Sequence, residues 1–345
     1  MAEAWYAMLA LMLSAYLIMD GWNIGAGMTL FAIGSDREER HLVLRSLGMS
    51  WSLHEVWLVA WGGTLFLSFP AIYAAAFAGF YLAFFMLLWA LILRGVSLEV
   101  RHWIDDALWS SAWDGVLWLS SMTLAALIGI TAGNVIRGVP LDGHGQFSLP
   151  LFTDFGVQGA VGLLDWYTIP VGIFTMVALA GHGACYVAMT TTGAVQTRAG
   201  ALGRRLWIAA LLLLVPITVL TSELEGELFP AMARSPLAWI GLAGLCTGAG
   251  MLLVGIVRKR VRSAFTGGAV VMGSLVLSTA AAQFPIMLRS TTPGIPSLHA
   301  AVGPASSQNL AVALTWWMGS AVLVACYCAF VFLVHAKSEV TTDHR

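Results

Sequence analysis

Residues 116–136 read VLWLSSMTLAALIGITAGNVI, an apolar run without one charged side chain. A helix rises about 1.5 Å per residue, so roughly 20 residues cross the hydrocarbon core of a bilayer. This run is long enough, and eight others reach or approach the same length. They cover residues 5–33, 51–76, 77–93, 157–192, 206–222, 237–257, 263–288 and 310–334. The sequence is therefore read as an all-α membrane protein of nine transmembrane helices, forming one integral membrane domain over 1–345. The junction between the second and third spans carries no charge. Pro70 in Phe69-Pro70-Ala71 is expected to break or cap the chain there, in a tight extracellular turn.

Composition agrees with a lipid environment. Of the 345 residues, 59% are hydrophobic and 10% charged, against about 25% charged in soluble domains. The net charge of −1 leaves no polybasic footprint for nucleic acid. The four cysteines, Cys185, Cys246, Cys326 and Cys328, all lie in apolar segments. No disulfide framework and no zinc spacing is expected of them. The first span has neither a basic flank before it nor a cleavage site after it, so it reads as a retained helix.

Lys and Arg set the orientation. Fourteen of the 17 fall in alternate loops and the tail: Arg37, Arg40 and Arg45; Arg94 and Arg101; Arg198, Arg204 and Arg205; Arg258, Lys259, Arg260 and Arg262; Lys337 and Arg345. The opposite side has Arg137, Arg234 and Arg289. The N-terminus is expected outside and the C-terminus in the cytoplasm. The loop 138–155, rich in Gly, Pro and Asp, reads as an irregular external segment.

Few polar groups interrupt the spans. Asp20 sits near the middle of the first, where an ionised carboxylate costs about 2.5–3.5 kcal/mol on insertion scales. It is either a proton relay or polar contact to a cofactor, or a helix–helix hydrogen bond beside Gly21, Gly25 and Gly27. His54 and Glu55 open the second span. They point about 100° apart, and read either as a proton entry or as an interfacial pair. His182 lies in Gly181-His182-Gly183-Ala184. It is either a haem ligand, with glycines leaving room for a macrocycle, or a histidine bonded to a neighbouring helix. The remaining histidines, among them His41, His102, His144, His299 and His335, fall at interfaces or in loops. Most of the 15 tryptophans read as an aromatic belt at span ends. These groups leave two classes open, a subunit of a redox complex and a secondary transporter for a small polar solute.

Six ordered segments resemble subunit II of the cytochrome bd quinol oxidases. Asp20-Gly21-Trp22-Asn23-Ile24-Gly25-Ala26-Gly27-Met28 is similar to the family's Asp-Gly-Phe-Asp-x-Gly-x-Gly-Met. Trp51-Ser52-Leu53-His54-Glu55-Val56-Trp57-Leu58 is similar to Trp-Asp-Gly-Asn-Glu-Val-Trp-Leu, and Gly62-Gly63-Thr64-Leu65-Phe66 and Phe69-Pro70-Ala71-Ile72-Tyr73-Ala74 follow it. Then come Arg94-Gly95-Val96-Ser97-Leu98-Glu99-Val100-Arg101, Gly133-Asn134 with Gly138-Val139-Pro140, and Leu164-Asp165-Trp166-Tyr167-Thr168. Phe284-Pro285 closes the series with Ser297-Leu298-His299 and Ala305-Ser306-Ser307-Gln308.

The resemblance implies two four-helix bundles plus one peripheral helix, in a heterodimer of the bacterial cytoplasmic (inner) membrane. Haem b and haem d would sit in a partner subunit I, which oxidises quinol and reduces oxygen to water without pumping. Subunit II would stabilise the complex and line proton or oxygen routes. A structural quinone, with Trp51 as its contact, and a small single-span subunit are also implied, and Trp57 is a candidate on an oxygen route. The proton-route candidates are Asp20, Ser52, His54 and Glu55. Two family carboxylates are replaced, by Ser52 and Asn23, and Leu53 stands where the family has glycine. A serine can join a water chain but cannot hold a carboxylate's charge.

Overall fold

The computed structural model describes residues 1–47, 51–157, 159–301, 310–324 and 326–327, with the backbone alone for 51–53. The chain is almost entirely helical. In order come α1 (Ala2–Ile33), α2 (Arg37–Leu47), α3 (Trp51–Ser68), α4 (Pro70–Gly79), α5 (Tyr81–Val100) and α6 (Ala107–Arg137). Then follow α7 (Thr168–Thr190), α8 (Gly193–Leu224), α9 (Leu228–Arg234), α10 (Pro236–Val257) and α11 (Val261–Gln283). A two-stranded antiparallel hairpin, β1 (Ile286–Leu288) and β2 (Leu298–His299), precedes α12 (Leu310–Val324). Among the described residues, seven helices are long and apolar enough to cross a membrane: α1, α5, α6, α7, α8, α10 and α11.

Local chemistry sets several boundaries away from the hydropathy reading. The segment expected as two spans over 51–76 and 77–93 is three helices, with breaks at Phe69 and Phe80. Pro70 starts α4 at its first position, where its missing N–H costs nothing. The expected division after Ala76 therefore falls inside α4, and α5 runs on to Val100. Helix α7 begins at Thr168 instead of at residue 157. Asp165 Oδ1 accepts the N–H groups of Tyr167 and Thr168, and Thr168 Oγ1 accepts from the Asp165 N–H, each at 3.0 Å. This reciprocal cap fixes the helix start, so Asp165 lies ahead of the span. Helix α11 stops at Gln283, not residue 288, because Pro285 cannot continue a helix. Of the span expected over 310–334, residue 325 and residues 328–334 lie outside the described residues.

Helix α1 is the hub, packing on α3, α6, α7 and α11. Its approach to α7 is closest at Gly25 and Gly183, where an added Cβ would run into the backbone of the opposite helix. Helices α5 and α6, α7 and α8, and α10 and α11 pack as consecutive pairs. At one end of the bundle, Val139 N–H donates to Arg289 O (2.9 Å) and Thr291 N–H to Val139 O (3.0 Å). There Trp5, Leu65, Phe69, Phe80, Val139 and Phe147 form a core beneath the loops. The other end holds most of the arginines.

The contact between α1 and α7 leaves no room for a side chain. Gly183→Leu should abolish accumulation of folded protein in membranes. Gly115 has open space around it, so Gly115→Ala should leave the melting temperature unchanged or slightly raised. Normal accumulation of the Gly183→Leu protein would contradict this packing.

Candidate functional site

Three helices meet at one guanidinium. Arg94 on α5 is 1% exposed, and the side chain of Asp20 on α1 is fully buried. Arg94 Nη1 donates to Asp20 Oδ1 and Nη2 to Asp20 Oδ2, each at 2.9 Å. Nη2 also donates to Glu55 Oε1 on α3 at 2.7 Å. The planar fork of arginine suits this double recognition, which lysine would not reproduce. Arg94, expected in a charged loop, lies instead inside α5. The apolar run of α5 continues past it to Val100, so the residue lies within the helix.

His54 and Glu55, adjacent on α3, reach this group from two sides. Glu55 joins Arg94, and its side chain stays 26% exposed. His54 is buried, and its Nδ1 lies 2.6 Å from Asn23 Nδ2. The amide donates, so Nδ1 is the acceptor and the ring proton sits on Nε2. That Nε2 is buried without a partner among the described residues. Asn23 Nδ2 also lies 3.5 Å from Asp20 Oδ1. Asn23 and Asp20 thus join His54 to the ion group. Trp57 is half-buried on the same helix. The side chains of Trp51 and Ser52 lie outside the described residues.

Two further ion groups escaped the sequence reading. Asp114, fully buried on α6, accepts from Arg101 Nε at 2.5 Å and lies 3.5 Å from Arg40 Nε on α2. Arg137, the last residue of α6, pairs with Asp165 and donates to Asn134 Oδ1 (2.5 Å) and Gly162 O (3.1 Å). Each unites residues that hydropathy had put in separate loops or spans. The only signal in the sequence was opposite charge at span ends. Beyond α8, Arg289 lies 3.0 Å from Glu225, whose carboxyl is pushed up by burial against the pull of that arginine.

His182 is fully buried on α7. Its Nε2 lies 3.3 Å from Ile18 O on α1, and its ring stacks on Phe265 with centroids 4.5 Å apart. The glycine beside it, Gly183, is filled by the α1 backbone. The space that the sequence offered to a macrocycle is therefore a helix contact, and the surroundings of His182 do not fit a haem. Among the described residues no group of three or more His, Cys, Asp or Glu is placed to hold a metal ion. Cys185, Cys246 and Cys326 are unpaired. His41 and His102 lie edge to face, 5.4 Å apart, outside the long helices. Cys328 and His335 lie outside the described residues.

The sequence profile of the family described as cytochrome bd terminal oxidase subunit II matches residues 1–335. The chain belongs to that family. It is a multi-pass protein of the bacterial inner membrane. A probable cytochrome oxidase subunit 2 of Haemophilus influenzae is 27% identical over 315 residues, covering 84% of this chain and 82% of that one. The cytochrome bd-I ubiquinol oxidase subunit 2 of Escherichia coli is 30% identical over 211 residues, 61% of this chain and 54% of its own length. The Bacillus subtilis cytochrome bd ubiquinol oxidase subunit 2 is 27% identical over 59% of this chain and 58% of its own. The chain thus aligns with little more than half the length of these last two. A structure of bd oxidase from Geobacillus thermodenitrificans shares the fold, with a TM-score of 0.71 and 16% identity over 96% of this chain and 98% of the other.

Removing one member of a buried ion group leaves the others uncompensated, at a cost of about 3–5 kcal/mol. Arg94→Met strands two carboxylates and should destabilise the protein by about that amount. Arg94→Lys, a point charge, should fall between the two. Thermal denaturation of the purified protein measures both. An Arg94→Met protein as stable as wild type would show that this group does not hold α1, α3 and α5 together.

Proposed function

We propose that this chain is subunit II of a bd-type terminal oxidase, acting beside a haem-bearing subunit I in quinol oxidation and the reduction of oxygen to water. The observation that carries the proposal is the family match running from residue 1 to residue 335. Haem b and haem d in the partner would supply electron transfer and oxygen chemistry. This chain would supply packing and a polar path, without being catalytic alone. The enzyme would be electrogenic without pumping, taking protons from the cytoplasm and releasing quinol protons outside. The nine-helix reading, with two four-helix bundles, one peripheral helix, an outside N-terminus and a cytoplasmic C-terminus, belongs to the same proposal. Its support is the alternation of basic loops along the sequence. A structural quinone against Trp51 and a small single-span subunit complete it.

The proton route is proposed along α3 and α1. Arg94 engages both oxygens of Asp20, so Asp20 acts as an anchor. Glu55 engages Arg94 through Oε1 and keeps part of its side chain exposed. It is the carboxylate able to exchange protons with the outside of the bundle. Ser52 lies three residues earlier on the same helix, a spacing that puts the two on one face. His54 Nε2, Asn23 and Asp20 continue the polar line inward. Oxygen would approach near Trp57, past Val56 and Val59, which are exposed on α3. Along this face Gly62 and Gly63 meet open space, which suits the close approach of a partner helix.

Quinol-dependent oxygen consumption in membranes tests this route. Glu55→Gln should slow turnover more than Ser52→Ala, since serine passes hydrogen bonds but holds no charge. Unimpaired consumption in both variants would remove the route from this chain.

A further inference from the structure

We propose that the arginine-rich end of the bundle binds the phosphate headgroup of an anionic phospholipid, in a cleft between the α7–α8 turn and the first turn of α11. The cleft has a volume of about 550 Å³, and its lining includes Ala188, Met189, Gln196, Arg260, Val261 and Arg262. That is the size of a small-molecule site and far more than a single ion needs. Arg204 and Lys259 line a narrower crevice that shares Val261 with it.

Several arginines at this end are already committed to carboxylates. Arg40, Arg94, Arg101 and Arg198 each face a carboxylate. Among the described residues, Arg204, Lys259, Arg260 and Arg262 have no ion-pair partner. Two of these unpaired cations, Arg260 and Arg262, line the cleft, with Arg204 and Lys259 in the crevice beside it, and together they suit an anion. The turn that carries three of them is also costly in form. Lys259 has φ +54°, a left-handed conformation that glycine adopts more easily, and Arg260 N–H closes the turn on Gly255 O at 2.9 Å.

The position selects a lipid over a free anion. The cleft lies where α7 ends and α8 and α11 begin, at the ends of three helices long and apolar enough to cross a membrane. Basic pockets between transmembrane helices suit anionic headgroups. Neither α8 nor α11 has a side-chain cap on its first turn, so their free N–H groups add positive potential. Ala188, Met189 and Val261 provide apolar walls. On α10, the exposed Leu253, Val254 and Val257 lie beside the same turn and suit acyl chains. The site rests on membrane insertion alone and stands apart from the oxidase reading.

The experiment uses the protein purified with its natural partners and placed in nanodiscs of phosphatidylcholine with phosphatidylglycerol. Retained lipid is counted by native mass spectrometry. Wild type should prefer phosphatidylglycerol, and the preference should fall by about fivefold for each arginine removed in Arg260→Gln and Arg262→Gln. Arg205→Gln, exposed on α8 and outside the cleft, should keep it. Arg260→Lys with Arg262→Lys should also keep it, which separates loss of charge from failed assembly. Equal retention of both lipids by wild type would overturn the proposal. So would an unchanged preference in the Arg260→Gln/Arg262→Gln protein, an equal loss in Arg205→Gln, or displacement of the lipid by millimolar inorganic phosphate.

Discussion

A guanidinium inside a membrane bundle must meet its counter-charges there, because lipid offers no other solvent for it. Arg94 meets two, Asp20 from α1 and Glu55 from α3, at 2.7–2.9 Å. That requirement fixes the relative position of three helices. It also explains the neighbours. Asn23 and His54 must satisfy one another beside a carboxylate that is already committed, and His54 keeps one nitrogen unspent. The same rule operates at Asp114 with Arg101 and at Asp165 with Arg137. Pairs of this kind add little net stability over apolar packing, but removing one partner is expensive. They act as registers for helices whose outer faces are largely apolar.

Much of the architecture was legible because length and apolarity suffice to mark a crossing helix. The run at 116–136 lies within α6, and Asp20 stood out as a charge needing a partner. The partner was hidden for a physical reason. The positive-inside rule treats an arginine at the end of an apolar run as a loop residue, and Arg94 occupies that place in the sequence. The backbone continues as helix because nothing between Gly95 and Val100 stops it. The start of α7 was misplaced for a related reason. Residues 157–164 are apolar enough to pass for membrane, but the reciprocal cap at Asp165 and Thr168 begins the helix after them.

His182 shows how one pattern serves two physical ends. Glycines beside a histidine leave room, and sequence does not say what fills it. Here α1 fills it, at Gly25 and Gly183, and Phe265 covers the ring. The replacements Ser52 and Asn23 are read in the same light. Asn23 keeps a polar atom next to Asp20 and supplies a donor to His54, which a carboxylate in that place would not. On α3, Glu55 is the carboxylate that reaches Arg94, at 2.7 Å, with part of its side chain exposed.

The most direct measurement is the reduced-minus-oxidised absorption spectrum of material purified through a tag on this chain. The account predicts haem b and haem d bands from a co-purifying polytopic partner, in constant ratio to this chain. A colourless, stable preparation of this chain alone would contradict it.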